Sequence, residues 1–121
     1  MTKRAASINA LNRSGFIVIP KQPFLDWVNA LDTGAPPLTL EEVRKDSSMY
    51  LIPEFENDEA EAAYVAQSFD DFFKEQLSSW WTEEAAWPQH RTLELFQEWF
   101  EYRAYSLVLD LVKGRLVRAA V

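Results

Sequence analysis

Few residues of this chain have the chemistry that enzymes most often use. His90 is the only histidine, and cysteine is absent. The lack of cysteine removes thiolate nucleophiles, thiolate zinc sites and disulfides. His90 is not accompanied by a Gly-x-Ser-x-Gly sequence, and no Glu-x-x-His occurs, so neither a hydrolase triad nor a di-iron helix bundle is indicated. A lone histidine in a loop is typically a solvent-exposed or packing residue.

Loops that bind phosphate need closely spaced glycines, which this chain does not have. Its three glycines, Gly15, Gly34 and Gly114, form neither a Gly-x-Gly-x-x-Gly nor a Walker A sequence. Acidic residues are numerous, but none in the long predicted helices lies in the middle of an apolar stripe, where burial would raise the pKa of a catalytic carboxyl group. We therefore predict no catalytic residue, no metal and no cofactor.

Arg103 is part of the first candidate binding site. If residues 93–111 form one helix, Arg103 lies at the rim of its apolar stripe, with Asp110 seven residues further on the same side and Arg91 one turn before the helix. An arginine beside aromatic residues can bind a carboxylate or phosphate group in a cleft. Alternatively, Arg103 and Asp110 bind other side chains and hold the helix to the sheet, and we favour this structural role.

A tryptophan cluster is the second candidate. Trp80 continues the apolar stripe of a predicted helix, whereas Trp81 is rotated from that stripe by about 100° on an ideal helix. Together with His90 and Arg91, an exposed Trp81 and Trp87 would anchor a protein interface. Alternatively, these tryptophans form a hydrophobic plug that seals the end of a helix pair. Both alternatives are open at this point.

Short strands and helices must position these residues. Runs of branched and aromatic residues predict strands over 16–20 and 49–53. Apolar spacing predicts a helix over 23–32, and capping patterns at Thr39, Asp58 and Thr92 predict further helices. We expect these helices to span residues 40–46, 58–80 and 93–111, the last ending at Gly114, and residues 115–121 are a candidate third strand.

These elements predict an α+β fold over residues 14–121. Because each apolar face must be covered, we expect a small two- to three-stranded sheet packed against about four helices. The last two helices are expected to form a long antiparallel hairpin. Residues 1–13 are predicted to be a flexible N-terminal arm.

Composition and charge restrict the classes of partner. The 121 residues include 5 Trp, 8 Phe and 4 Tyr, enough for the core of a single domain, and carry a net charge of −7. Residues 54–101 hold 13 acidic and 2 basic residues, an acidic region that repels nucleic acid. No apolar run approaches the ~20 residues of a membrane span, and no signal-peptide core follows the N-terminus. We therefore expect a cytoplasmic protein that binds neither nucleic acid nor membrane.

One motif in the second half of the chain resembles a known pattern. The sequence WPxxRxxxxFxxWF, from Trp87 to Phe100, is similar to that of a group of short bacterial proteins of unassigned function. The resemblance also includes PFLDW at residues 23–27 and YLIPE at residues 50–54, and so covers most of residues 14–111. It implies a bacterial source and a self-contained domain, and it implies no activity, ligand or catalytic residue.

Our leading hypothesis is a non-enzymatic protein-interaction module. Its docking surface would be the acidic face or the aromatic loop of residues 80–91, and its partner would be another protein or a second copy of the chain. The alternative is a small enzyme or anionic-ligand binder with a pocket lined by Arg91, Arg103 and Asp110.

Overall fold

The computed structural model describes residues 8–121, which fold around a small antiparallel sheet. Strand β2 (Ser14–Pro20) is the central strand, between β3 (Met49–Ile52) and β4 (Phe100–Tyr105). A separate two-stranded ladder joins β1 (Asn9–Ala10) to β5 (Leu109–Asp110). Part of the predicted N-terminal arm therefore belongs to this ladder, and its residues 1–7 lie outside the described part of the chain.

Four α-helices accompany the sheet, and the predicted α+β class is confirmed. They are α1 (Gln22–Ala30), α2 (Leu40–Lys45), α3 (Asp58–Ser78) and α4 (Leu93–Trp99), with a short 3-10 turn at Glu84–Ala86 between α3 and α4. The order of strands and helices is close to the predicted one. The third strand of the sheet is β4, which directly follows the last helix, and not residues 115–121.

Side-chain caps define where three of these helices begin. Thr39 forms the complete predicted capping box of α2, in which its Oγ1 accepts from the backbone N–H of Glu42 and the Glu42 carboxylate accepts from the Thr39 N–H. Thr92 caps α4 as predicted. The cap of α3 is Asn57, whose side chain accepts from the N–H of Ala60 at 2.8 Å. The predicted capping box at Asp58 was therefore placed one residue late.

The predicted long hairpin of the last two helices is wrong, because α4 has only 7 residues against the 21 of α3. The chain becomes extended at Phe100 and continues as β4. Residues 100–105 alternate between core-facing and exposed side chains, so a strand paired with β2 buries the apolar half of this segment. Residues 115–121 form no strand, and Gly114 lies in a bend with a φ of 103° rather than at a helix end.

The core lies between the sheet and the helices and consists mainly of aromatic rings. Phe16 on β2 stacks against Phe72 of α3, with 4.7 Å between ring centroids. Phe96 of α4 contacts Phe73 of α3 at 5.8 Å and Phe100 of β4 at 5.2 Å. All five side chains are buried. The aromatic residues therefore build the interior, as the composition suggested.

Candidate functional site

Trp87 belongs to the core. Its side chain is 7% exposed, and its indole N–H donates a hydrogen bond to the backbone carbonyl of Trp81 at 2.7 Å. The indole N–H of Trp27 on α1 likewise donates to the carbonyl of Ala86 at 2.9 Å. The bond from Trp27 thus joins the aromatic loop to α1, while Trp87 buries its ring in the core and donates a hydrogen bond within the loop. Both observations favour the hydrophobic-plug alternative. Trp81 itself is half-buried.

Arg91 fastens the same loop to α3. Its guanidinium donates from Nε to Asp70 Oδ1 at 2.7 Å and from Nη2 to Asp70 Oδ2 at 3.4 Å, and from Nη1 to the carbonyl of Pro88 at 2.7 Å. The guanidinium carbon also lies 5.9 Å from the centroid of the Trp87 ring. Hydrogen bonding from Arg91 lowers the pKa of Asp70. Lys74, one turn further along α3, also pairs with Asp70, but at a longer separation of 3.5 Å.

Arg103 and Asp110 do not share one helix face, because neither residue is helical. Arg103 lies exposed on β4 and binds the carboxylate of Glu101 on the same strand, at 2.8 Å from Nη2. This contact lowers the pKa of Glu101 and raises that of Arg103. Asp110 lies on β5, where its carboxylate accepts from the N–H of Val112. The prediction that Arg103 and Asp110 lie one above the other was therefore wrong.

The six candidate residues are not brought together into one site. Arg91 and Trp87 are in contact, and Trp81 is bonded to Trp87, but Arg103 and Asp110 lie on strands of two different sheets. His90 is exposed in the loop before Arg91. The structure therefore brings residues of the aromatic loop into contact with one another. It does not form the predicted pocket lined by Arg91, Arg103 and Asp110.

A buried polar cluster between β3 and α3 was missed by the sequence analysis. The hydroxyl of Tyr50 donates to Glu75 Oε1 at 2.5 Å and accepts from Gln76 Nε2 at 2.9 Å. Burial, and then the hydrogen bond to Glu75, raise the pKa of Tyr50 above its ordinary value. Gln76 is 2% exposed within the apolar stripe of α3, three residues after Phe73, and this position was the available signal. The cluster attaches β3 to the helix layer.

An apolar cavity lies beside α1. Its volume is about 290 Å³, and it opens between the end of α1, the Pro36–Pro37 loop and Trp80. Its lining residues are Val28, Asn29, Leu31, Thr33, Ala35, Pro36, Pro37, Leu38 and Trp80. This lining includes no titratable side chain, whereas acid–base catalysis needs one in reach of a substrate.

Several exposed apolar side chains lie at the opposite end of β2. Gly15 pairs with Leu51 on one side and with Tyr105 on the other, and these two side chains are 53% and 49% exposed. The chain after β4 folds back over this point, since Val108 Cγ2 lies 3.2 Å from the position that a Cβ on Gly15 would occupy. Leu116 and Val117 line a groove of about 370 Å³ together with Leu51.

We call this surface the apolar end and define it by Leu51, Tyr105, Leu107, Leu116 and Val117. The last three side chains are 64%, 62% and 87% exposed. The sequence analysis missed the apolar end because it placed residues 93–111 in one helix and residues 115–121 in a candidate third strand. A signal that could have found part of it is the run of residues 107–112, apolar except for Asp110, which follows a segment that alternates with a period of two.

The comparisons with known proteins identify no family: no family model, curated protein or solved structure matches the chain. The resemblance over Trp87–Phe100 therefore stays a prediction. Its positions have structural explanations, because Trp87, Phe96 and Phe100 are buried and Arg91 binds Asp70.

Within residues 8–121, no group of three or more histidine and carboxylate side chains is placed to hold a metal ion. None of the helices in this part of the chain combines the length and apolar character needed to cross a bilayer.

Proposed function

We propose that the protein is a protein-interaction module and that the apolar end is its docking surface. The observation that carries this proposal is the groove that Leu51, Leu116 and Val117 line together, with side chains that are 53%, 62% and 87% exposed. Exposed apolar side chains are common singly, but a contiguous group rimmed by charged residues is typical of surfaces that bind another protein.

The aromatic loop is a weaker candidate for the docking surface. An interface anchor must be accessible before binding, and Trp87 is buried while its N–H is bonded to Trp81. The loop is best explained as a rigid seal of the helix layer. The anionic-pocket alternative has less support, because Arg91 and Arg103 each bind a carboxylate of this same chain.

Site-specific photo-crosslinking in cells tests the proposed surface. Leu116 is replaced with a photoreactive phenylalanine analogue, and a matched derivative carries the analogue at Glu94, an exposed position on α4. We expect ultraviolet light to join the Leu116 derivative covalently to a protein and the Glu94 derivative to none. The absence of any adduct, or adducts of equal yield at both positions, would contradict a docking role for the apolar end.

A further inference from the structure

We infer that the partner at the apolar end is a second copy of this chain, in a two-fold symmetric dimer. This inference rests on the proposed function and adds the identity of the partner. In a two-fold interface the same patch is used by both copies, so the patch must be complementary to itself. Apolar side chains can pack against identical apolar side chains, so the apolar residues meet this condition. Whether a second copy fits then depends on the charged residues around them.

A basic segment borders the apolar end on one side. Lys113, Arg115 and Arg118 are all exposed, and Arg118 lines the same groove as Leu51 and Leu116. Positive charge therefore lies next to the exposed aliphatic side chains.

An acidic segment leaves the sheet at the same end. Ile52 is the last residue of β3 and pairs with Ser14, the first residue of β2, so Glu54 and Glu56 follow directly beyond this edge. Both glutamates are exposed, as are Asp58 and Glu59 at the start of α3. Within residues 8–121, no ion pair joins the basic segment to this acidic segment.

A second copy of the chain offers opposite charges to both the basic and the acidic segment. Two-fold pairing places the basic segment of each copy against the acidic segment of the other, and the apolar residues meet between them. A partner that was only acidic would attract the basic segment but repel Glu54 and Glu56, and a basic partner would do the reverse. Self-association therefore gives a charge arrangement that neither single-sign partner provides.

The first measurement is the mass in solution by sedimentation or light scattering, from about 1 to about 500 μM protein. We expect the mass to rise from 14.0 kDa toward twice that value with concentration. Because opposite charges attract across the interface, raising NaCl from about 50 to about 500 mM should weaken the dimer. A chain that stays at 14.0 kDa over the whole range would overturn the inference.

Charge reversal gives a sharper test. The double variant Arg115→Glu with Arg118→Glu, and the double variant Glu54→Lys with Glu56→Lys, should each dimerise at least about tenfold more weakly than the unaltered chain. Mixed together they should form a heterodimer, since each reversed segment then meets the opposite charge. The control is Glu94→Lys with Glu98→Lys on α4, which makes the same change in net charge as the Glu54/Glu56 variant at another exposed surface and should leave dimerisation unchanged.

The outcomes separate this inference from the proposed function. A mixture that associates no better than either variant alone would overturn the two-fold dimer. If the photo-crosslinked adduct at residue 116 then contains a different protein, the docking surface stands and only the identity of the partner is wrong. Without any adduct, both proposals fail.

Discussion

The two ends of β2 differ in what covers them. At the Pro20 end, Pro20 pairs with Phe100, whose ring lies 5.0 Å from that of Phe24 on α1 and 5.5 Å from that of Phe73 on α3. These rings are buried under three helices. At the Ser14 end, Gly15 lies between Leu51 and Tyr105, and about half of each side chain remains exposed.

This contrast separates residues that stabilise the fold from residues that would contact a partner under the proposed function. Burying apolar surface stabilises a protein by about 25 cal/mol per Å², so the rings at the Pro20 end account for much of the folding free energy. The exposed aliphatic side chains at the Ser14 end gain little of this stabilisation in the isolated chain. Their burial becomes favourable when another protein covers them.

The largest expected effect is at Phe96, which is fully buried among the rings of Phe69, Phe73 and Phe100. Phe96→Ala should lower the free energy of unfolding by about 3–5 kcal/mol, because it removes buried area and leaves a cavity. Leu116→Ala, the matched variant at the apolar end, should change it by less than about 0.5 kcal/mol. Urea denaturation measures both values, and equal losses would show that the two ends are covered alike.

A somewhat smaller effect is expected at Trp87. Trp87→Ala should cost about 3 kcal/mol and lower the melting temperature by roughly 10 °C or more, because it removes a buried ring and leaves the carbonyl of Trp81 without its donor. Trp81→Ala should shift the melting temperature much less, since Trp81 is only half-buried.

Trp87→Phe refines this comparison. It keeps an aromatic ring and removes the indole N–H, so about 1 kcal/mol of the loss should remain. If Trp87→Ala left the melting temperature nearly unchanged but abolished the photo-crosslinked adduct, the aromatic loop would be the interface and the assignment of the apolar end would be wrong.

Sequence patterns predicted the elements whose signals are local. The strands around residues 16–20 and 49–53 follow from continuous apolar runs, and α2 from the complete capping box at Thr39. These features depend only on residues close together in the sequence, so they can be predicted without knowledge of the fold.

Residues 100–111 show where local patterns do not suffice. Phe100, Ala104, Leu107 and Leu111 have helical spacing, while residues 100–105 also alternate with a period of two. The fold favours the strand over the helix for residues 100–105. The central strand β2 pairs with a strand on each side, and β4 is the second of these two neighbours. The errors at Arg103 and Asp110, and the failure to predict that Leu107 is exposed, all come from this one choice. The bond between Arg91 and Asp70 spans 21 residues, which no local pattern could have predicted.

The smallest effect is expected at Asp70, which binds Arg91 and so holds the aromatic loop against α3. Asp70→Asn should lower the free energy of unfolding at pH 7 by about 1 kcal/mol, a modest value because the Asp70 carboxylate is partly exposed and its charge is screened by solvent. Asp71→Asn, at the exposed neighbouring position of α3, is the control and should have little effect.

The pH dependence of this effect follows from the lowered pKa of Asp70. A carboxyl group whose pKa is lower in the folded state stabilises the protein above its unfolded pKa, about 3.9, and loses this contribution as the pH falls through the folded value. The difference between the unaltered chain and Asp70→Asn should therefore be full at pH 7 and shrink below about pH 4. Denaturation at both pH values measures it. A difference that persisted undiminished in acid would mean that hydrogen-bond geometry, and not the charge of Asp70, fastens Arg91 and the loop to α3.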